Sequence, residues 1–203
     1  MNRRAMNKLK TAFIAALLSI SLSACGQAAD EPITGTDIAG TPIGGAFTLT
    51  DKHGKTVTWD QFKGQYRMVY FGYTFCPDVC PVDVAVMMQG FAKFERAHPT
   101  RAAKLQPVFI SVDPARDTPQ AVGEFAAAFS PKLIGLTGTQ AQVDQAIKAF
   151  RAYAARGKDS AGGYLMDHSR NTYLMDPDGK PIEVLPTDKG AETVAKDLAI
   201  SVK

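Results

Sequence analysis

The stretch Arg67-Met68-Val69-Tyr70-Phe71-Gly72-Tyr73-Thr74-Phe75-Cys76-Pro77-Asp78-Val79-Cys80-Pro81 decides the fold. Its first six residues form a short, nearly continuous apolar run, the pattern of a strand buried on both faces. The cysteines follow, and then a helical pattern from Pro81 to Ala97. Val82, Val84, Val86, Met87, Phe91 and Phe94 supply its apolar positions. Pro81 suits the first helical position, which puts Cys80 at the N-cap. A thiolate at a helix N-terminus is stabilised by free backbone N–H groups and by the macrodipole. Two such sulfurs either hold a soft metal ion or exchange electrons as a dithiol and disulfide.

Working outward, the chain alternates. Phe47-Thr48-Leu49-Thr50 and Thr56-Val57-Thr58-Trp59 flank a turn at Asp51-Lys52-His53-Gly54 and read as a hairpin. Asp60 to Gly64 reads as one helical turn closed by glycine. Leu105 to Val112 is a strand, Pro119 to Phe129 a helix, Leu133 to Leu136 a strand, and Gln140 to Ala155 a long amphipathic helix. Such alternation predicts an α/β domain with a partly parallel sheet. Asn171 to Met175 and Pro181 to Leu185 flank Asp176-Pro177-Asp178-Gly179, strong turn chemistry for a hairpin. Ala191 to Val202 closes the chain as a helix. The expected fold is thioredoxin-like, with an N-terminal hairpin and a C-terminal hairpin plus helix. Thioredoxins place two residues between their cysteines. Three stand here, which leaves room for a metal between the sulfurs.

The N-terminus has a separate logic. Residues 1–10 carry Arg3, Arg4, Lys8 and Lys10 and no acid, and residues 11–24 are apolar or small. A basic start, a short apolar run and small residues read as a secretory signal, too short for a lasting membrane span. The run ends in Leu22-Ser23-Ala24-Cys25, which resembles a bacterial lipobox and makes Cys25 the expected lipidation site. The plainer alternative is ordinary secretion, with Cys25 a small residue near the cut. Removing residues 1–24 leaves 179 residues, with 19 Lys and Arg against 20 Asp and Glu. The basic balance of the whole chain therefore belongs to the signal, and nothing supports nucleic-acid binding. Two remaining cysteines are too few for a disulfide-stapled scaffold, which points to a chemical role. Residues 25–42 are rich in Gly, Ala, Thr, Pro and Asp and read as a flexible tether to a domain at 43–203.

Three histidines are present. His53 lies in a polar turn and His98 at a helix end before Pro99, both ordinary structural positions. His168, in Met166-Asp167-His168-Ser169-Arg170, precedes the terminal hairpin, where its loop can reach the cysteine loop in a thioredoxin-like layout. Asp113, Arg116 and Asp117 follow a strand's C-terminal end, where α/β sites gather. Their plainer reading is a loop stabilised by Asp/Arg pairing, with Thr118 capping the next helix. Asp78 reads as a solvated loop acid, Met166 and Met175 as core packing, and Phe75, Tyr164 and Tyr173 as packing or shielding.

Three separated segments also carry a resemblance. Tyr-Thr-Phe-Cys-Pro-Asp-Val-Cys-Pro, then Ser111-Val112-Asp113-Pro114-Ala115-Arg116-Asp117-Thr118-Pro119, then Asp167-His168-Ser169 with Tyr173 to Gly179, resemble the Sco family, also called SenC, from about Ile43 onward. The resemblance implies a thioredoxin-like domain anchored at a membrane and facing the periplasm. It implies copper held by Cys76, Cys80 and His168. It also implies a partner, the copper-receiving subunit of cytochrome c oxidase, whose dinuclear copper centre the family helps assemble. Two thiolates and an imidazole suit Cu(I). A different class stays open: a thiol–disulfide oxidoreductase that reduces an oxidase subunit's cysteines. A peroxiredoxin-like peroxidase is disfavoured, because Tyr73 stands where Thr or Ser is wanted three residues before the reactive cysteine.

Overall fold

The computed structural model describes residues 31–159 and 163–203. The signal segment, Cys25 and the first part of the tether lie outside the described residues. Among those described, no helix is long and apolar enough to cross a membrane.

The apolar run becomes β4 (Tyr66–Gly72), buried at every residue. It pairs in parallel with β5 (Leu105–Ser111), which pairs in parallel with β6 (Ile134–Leu136). On its other side β4 runs antiparallel to β9 (Thr172–Met175), which pairs with β10 (Pro181–Leu185). The outer strand is β1 (Thr36–Asp37), antiparallel to β10. That pairing lies inside the stretch read as a flexible tether. The apolar side chain of Ile38 is also buried there. β2 (Thr48–Thr50) and β3 (Thr56–Thr58) form the expected hairpin, and Trp59–Phe62 a single 3₁₀ turn.

Side chains of the central strands alternate between two helical layers. Tyr70 stacks on Phe109, and Phe109 packs on Phe125 of α3 (Pro119–Phe129). On the same face lies α1 (Val79–Ala97). Its Gly90 sits where a Cβ would meet Val194 at 2.5 Å, so α5 (Ala191–Ser201) crosses α1 closely. Phe71 points to the opposite face, against Phe150 and Tyr173, and Phe150 packs on Trp59. Arg67, the one charge in the buried strand, lies over the Trp59 ring and donates to the Asp176 carbonyl at 2.7 Å. A short α2 (Pro99–Ala102) follows α1. This is the thioredoxin-like arrangement expected from the pattern.

Two expectations need correction. The helix after the cysteines begins at Val79, so Asp78 takes the N-cap and Cys80 the second position of the first turn. Pro81 is accommodated because the first-turn N–H groups lack intrahelical partners anyway. The helix expected over Gln140 to Ala155 ends at Ala149 (α4, Gln140–Ala149). Phe150 turns into the aromatic core and Arg151 adopts a left-handed φ of 49°. Ala154–Arg156 then forms β7, antiparallel to β8 (Met166–His168), in a two-stranded ribbon apart from the main sheet.

Candidate metal centre

The ribbon explains how one histidine reaches two distant cysteines. β4 ends at Gly72, where a Cβ would stand 3.1 Å from the Cys80 sulfur, so glycine leaves space for it. The loop from Tyr73 carries Cys76, half-buried, and the first turn of α1 carries Cys80, fully buried. β8 brings His168 over them, its Nε2 3.1 Å from Cys80 Sγ. Sγ of Cys76, Sγ of Cys80 and a ring nitrogen of His168 all lie within 4.8 Å of one another. They are the only such group of His, Cys, Asp and Glu among the described residues. Both cysteines are free thiols.

The histidine's tautomer follows from its second contact. Nδ1 is 2.9 Å from the Ser169 carbonyl, an oxygen that can only accept. Nδ1 therefore carries the proton, and Nε2 presents a lone pair toward the sulfurs. The edge-on rings of Tyr70 and Tyr73, with centroids 6.2 and 5.8 Å from the imidazole, hold its orientation. Bonds of about 2.0–2.3 Å, as thiolate and imidazole make to zinc, reach donors up to roughly 4.6 Å apart, so the triad accommodates an ion with little settling.

The two thiols differ. Burial alone would push Cys76 up. Backbone N–H groups of Cys80 and Asp78, then the Cys80 thiol and Tyr73 hydroxyl, outweigh it and hold Cys76 below an ordinary thiol. The Cys80 N–H is 3.4 Å from the Cys76 sulfur. Burial pushes Cys80 well above the usual thiol range. The helix N-terminus thus favours the thiolate of the residue before it, not of both cysteines.

Two buried acids support the site: Asp83, which the sequence reading missed, and Asp117, which it named only within the loop after β5. Asp83, buried in α1, accepts the Tyr70 hydroxyl at 3.0 Å and two bonds from Arg170 at 2.8 and 2.6 Å. Burial, then the nearby Cys80 and Asp83, pushes Tyr70 far up, so its hydroxyl stays a donor. Asp117, also buried, accepts the Thr74 N–H and hydroxyl and the Ser111 hydroxyl at 2.5 Å. An acid amid apolar helix positions, as at Asp83, was the one legible signal.

The other candidates fall elsewhere. His53 is exposed, and His98 ends α1 with its ring 5.4 Å from Phe94. Met175 is buried in the core and Met166 packs against it. Asp78 is exposed, Phe75 is exposed beside Cys76, and Tyr173 is buried. Asp113 pairs with Arg116 at 2.6 Å, and Thr118 caps α3 by accepting the Ala121 N–H at 3.2 Å.

Comparisons with known proteins bear on this arrangement. The profile of the family described as SCO1/SenC matches residues 35–203. Protein SenC of Rhodobacter capsulatus is 46% identical over 79% of this chain and 71% of its own length. Protein sco1 of Schizosaccharomyces pombe is 41% identical over 76% of the chain. The match spans only 59% of that relative's length. The structure of Bradyrhizobium japonicum ScoI with copper bound aligns with a TM-score of 0.70 and 39% identity, over 77% of this chain and 98% of that one. The matched region runs from β1 through the last helix and contains both the cysteine loop and the histidine ribbon. The chain belongs to the SCO1/SenC family.

Proposed function

We propose that this protein is a membrane-tethered copper chaperone. It binds copper through Cys76, Cys80 and His168 and delivers it to a cytochrome c oxidase subunit during assembly of the dinuclear copper centre. The observation that carries this reading is the convergence of two sulfurs with an imidazole whose Nε2 lone pair is turned toward them. Thiolates are soft ligands and imidazole suits copper. A three-donor site also leaves a coordination position for a partner's ligand, which transfer requires. The copper-bound ScoI relative supports the choice of metal. Oxidation of the two cysteines to a disulfide consumes both thiolate ligands, so redox state gates loading. The basic and apolar segment before Cys25 supports a lipid anchor at that cysteine, with the domain on the periplasmic side.

The test is an anaerobic titration of Cu(I) into the reduced protein against a competing chelator. One equivalent held tightly supports the chaperone; failure to compete sinks it. Replacing Cys25 with Ala should release the protein from membranes, and continued membrane retention would refute the anchor.

A second reading, thiol–disulfide exchange with an oxidase subunit, is favoured by the unequal thiols. A lowered, partly accessible Cys76 is suited to attack, and buried Cys80 to resolve the mixed disulfide. That chemistry does not need His168, so a His168 variant separates the two roles.

A further inference from the structure

Among the described residues the histidine ribbon has no ladder partner in the main sheet: β7 and β8 pair with each other. The height at which His168 stands over the cysteines is therefore set by the short link to β9 and by side chains: the Tyr70 and Tyr73 rings, the Arg170–Asp83 pair and, on the far side of the ribbon, Arg116. Arg116 projects from the turn after β5. Asp113 accepts its Nε at 2.6 Å, and the Asp113 carbonyl accepts the backbone N–H groups of Arg116 and Asp117. The turn is tied to the sheet by Ser111, whose hydroxyl accepts the Asp113 N–H and donates to Asp117.

From this base the Arg116 guanidinium lies 3.6 Å from the Tyr164 ring centroid, 4.9 Å from Phe75 and 5.7 Å from Tyr73. Tyr73 and Phe75 precede Cys76 in the cysteine loop. Tyr164 lies just before β8, four residues ahead of His168. The Tyr164 hydroxyl donates to the second oxygen of Asp113 at 2.7 Å, which closes a ring of contacts through Arg116. The Arg156 guanidinium lies 4.0 Å from the same Tyr164 centroid. Among the described residues, Nη2 of Arg116 is buried without a hydrogen-bond partner, and the guanidinium is surrounded by aromatic rings instead.

From this geometry we infer that Arg116 is a positioning residue for the metal centre. It fastens the histidine ribbon to the cysteine loop through Tyr164 on one side and Tyr73 and Phe75 on the other, and so sets where His168 meets Cys80. The inference rests on the copper-site reading and adds a residue that touches no ligand atom. Planarity is essential to the role. A guanidinium stacks on rings while its edge binds a carboxylate, and a lysine ammonium does not combine the two.

The test is a double-mutant cycle. Arg116→Met and Arg116→Lys are each made with His168 present and in a His168→Ala background, and Cu(I) affinity is read by chelator competition. With His168 present, Arg116→Met should weaken binding ten-fold or more, and Arg116→Lys should not restore it. In the His168→Ala background the same change should cost less than two-fold. Equal losses in both backgrounds, or no loss in either, overturn the proposal.

A metal-free readout stands beside it. The imidazole NMR signals of His168 in the reduced apo protein should move toward those of exposed His53 in Arg116→Met, and unchanged signals count against the clasp. Should Arg116→Met fail to fold, Tyr164→Phe removes only the hydroxyl that Asp113 accepts. It should weaken copper two- to five-fold, again only with His168 present; a loss indifferent to His168 refutes the idea. If the unaltered protein fails to bind Cu(I), or binds equally well without His168, the copper-site reading fails, and the apo spectra alone decide the placement of Arg116.

Discussion

His168 and Cys80 meet at 3.1 Å, Nε2 to Sγ, although 88 residues separate them in sequence. The histidine's other nitrogen is tied to Ser169. The contact joins the first turn of α1 to the ribbon, and it sets an imidazole nitrogen against a buried thiol.

Removing that donor should divide the two candidate activities. His168→Ala is expected to weaken Cu(I) at least ten-fold in chelator competition, since even outer-shell partners of metal ligands are worth about 10–100-fold. Its rate of reducing a disulfide-bonded target peptide should stay within two-fold of the unaltered protein. Parallel loss of both would mean that His168 serves the thiols rather than a metal.

The unequal thiols predict ordered alkylation. In the metal-free reduced protein, iodoacetamide at neutral pH should modify Cys76 first and leave Cys80 largely intact, read by peptide mass spectrometry. The pH profile of the Cys76 rate should have its midpoint below the ordinary thiol value of about 8.5. Equal rates at both cysteines would contradict the burial and hydrogen bonding described above.

Asp83 should matter for stability as well as for the site. Asp83→Ala leaves the Tyr70 hydroxyl without its carboxylate acceptor and Arg170 without its partner. Because Arg170 is half-exposed, water compensates it in part, and the cost should be about 1–3 kcal/mol. Urea unfolding of the reduced apo protein gives that number. A change below about 0.5 kcal/mol, the range of ordinary surface substitutions, would show the network to be dispensable.

Glu183 predicts a pH dependence remote from the metal centre. Burial, and then the neighbouring Asp197 and Asp37 outweighing the Ser201 hydroxyl bond, pushes its carboxyl up to about 7. Asp197 meanwhile accepts the Thr34 and Gly35 N–H groups, which lead into β1. A raised carboxyl binds its proton more tightly folded than unfolded. Its contribution is therefore fully present below pH 4.5 and is lost as pH rises through about 7. At 1.36 kcal/mol per pKa unit the effect reaches about 3 kcal/mol. Thermal unfolding should show stability from this group falling between pH 5 and 7.5, with a flatter profile in Glu183→Gln. Identical slopes would rule out Glu183 as the cause.

Much of the fold was legible because its signals are local. The apolar run at Arg67 to Gly72, the periodicity of α1 and the Asp-Pro-Asp-Gly turn each act over a few residues. The ribbon was not legible. Ala154–Arg156 and Met166–His168 are three-residue strands that alternate too briefly to show a period. The register of β1 against β10 was hidden for the same reason, since two residues carry no pattern.

The sequence by itself determined the chemistry on offer: two cysteines before a helix, three histidines of which one sits in a distinctive motif, and a thioredoxin-like order of elements. Only the tertiary structure decided that Cys76 and not Cys80 receives the helix N–H groups, that His168 offers Nε2, and that Asp83, Asp117 and Arg116 frame the site. The reason is physical. Residue type and spacing record what a group can do, whereas ionisation, tautomer and distance depend on burial and on partners brought from far along the chain.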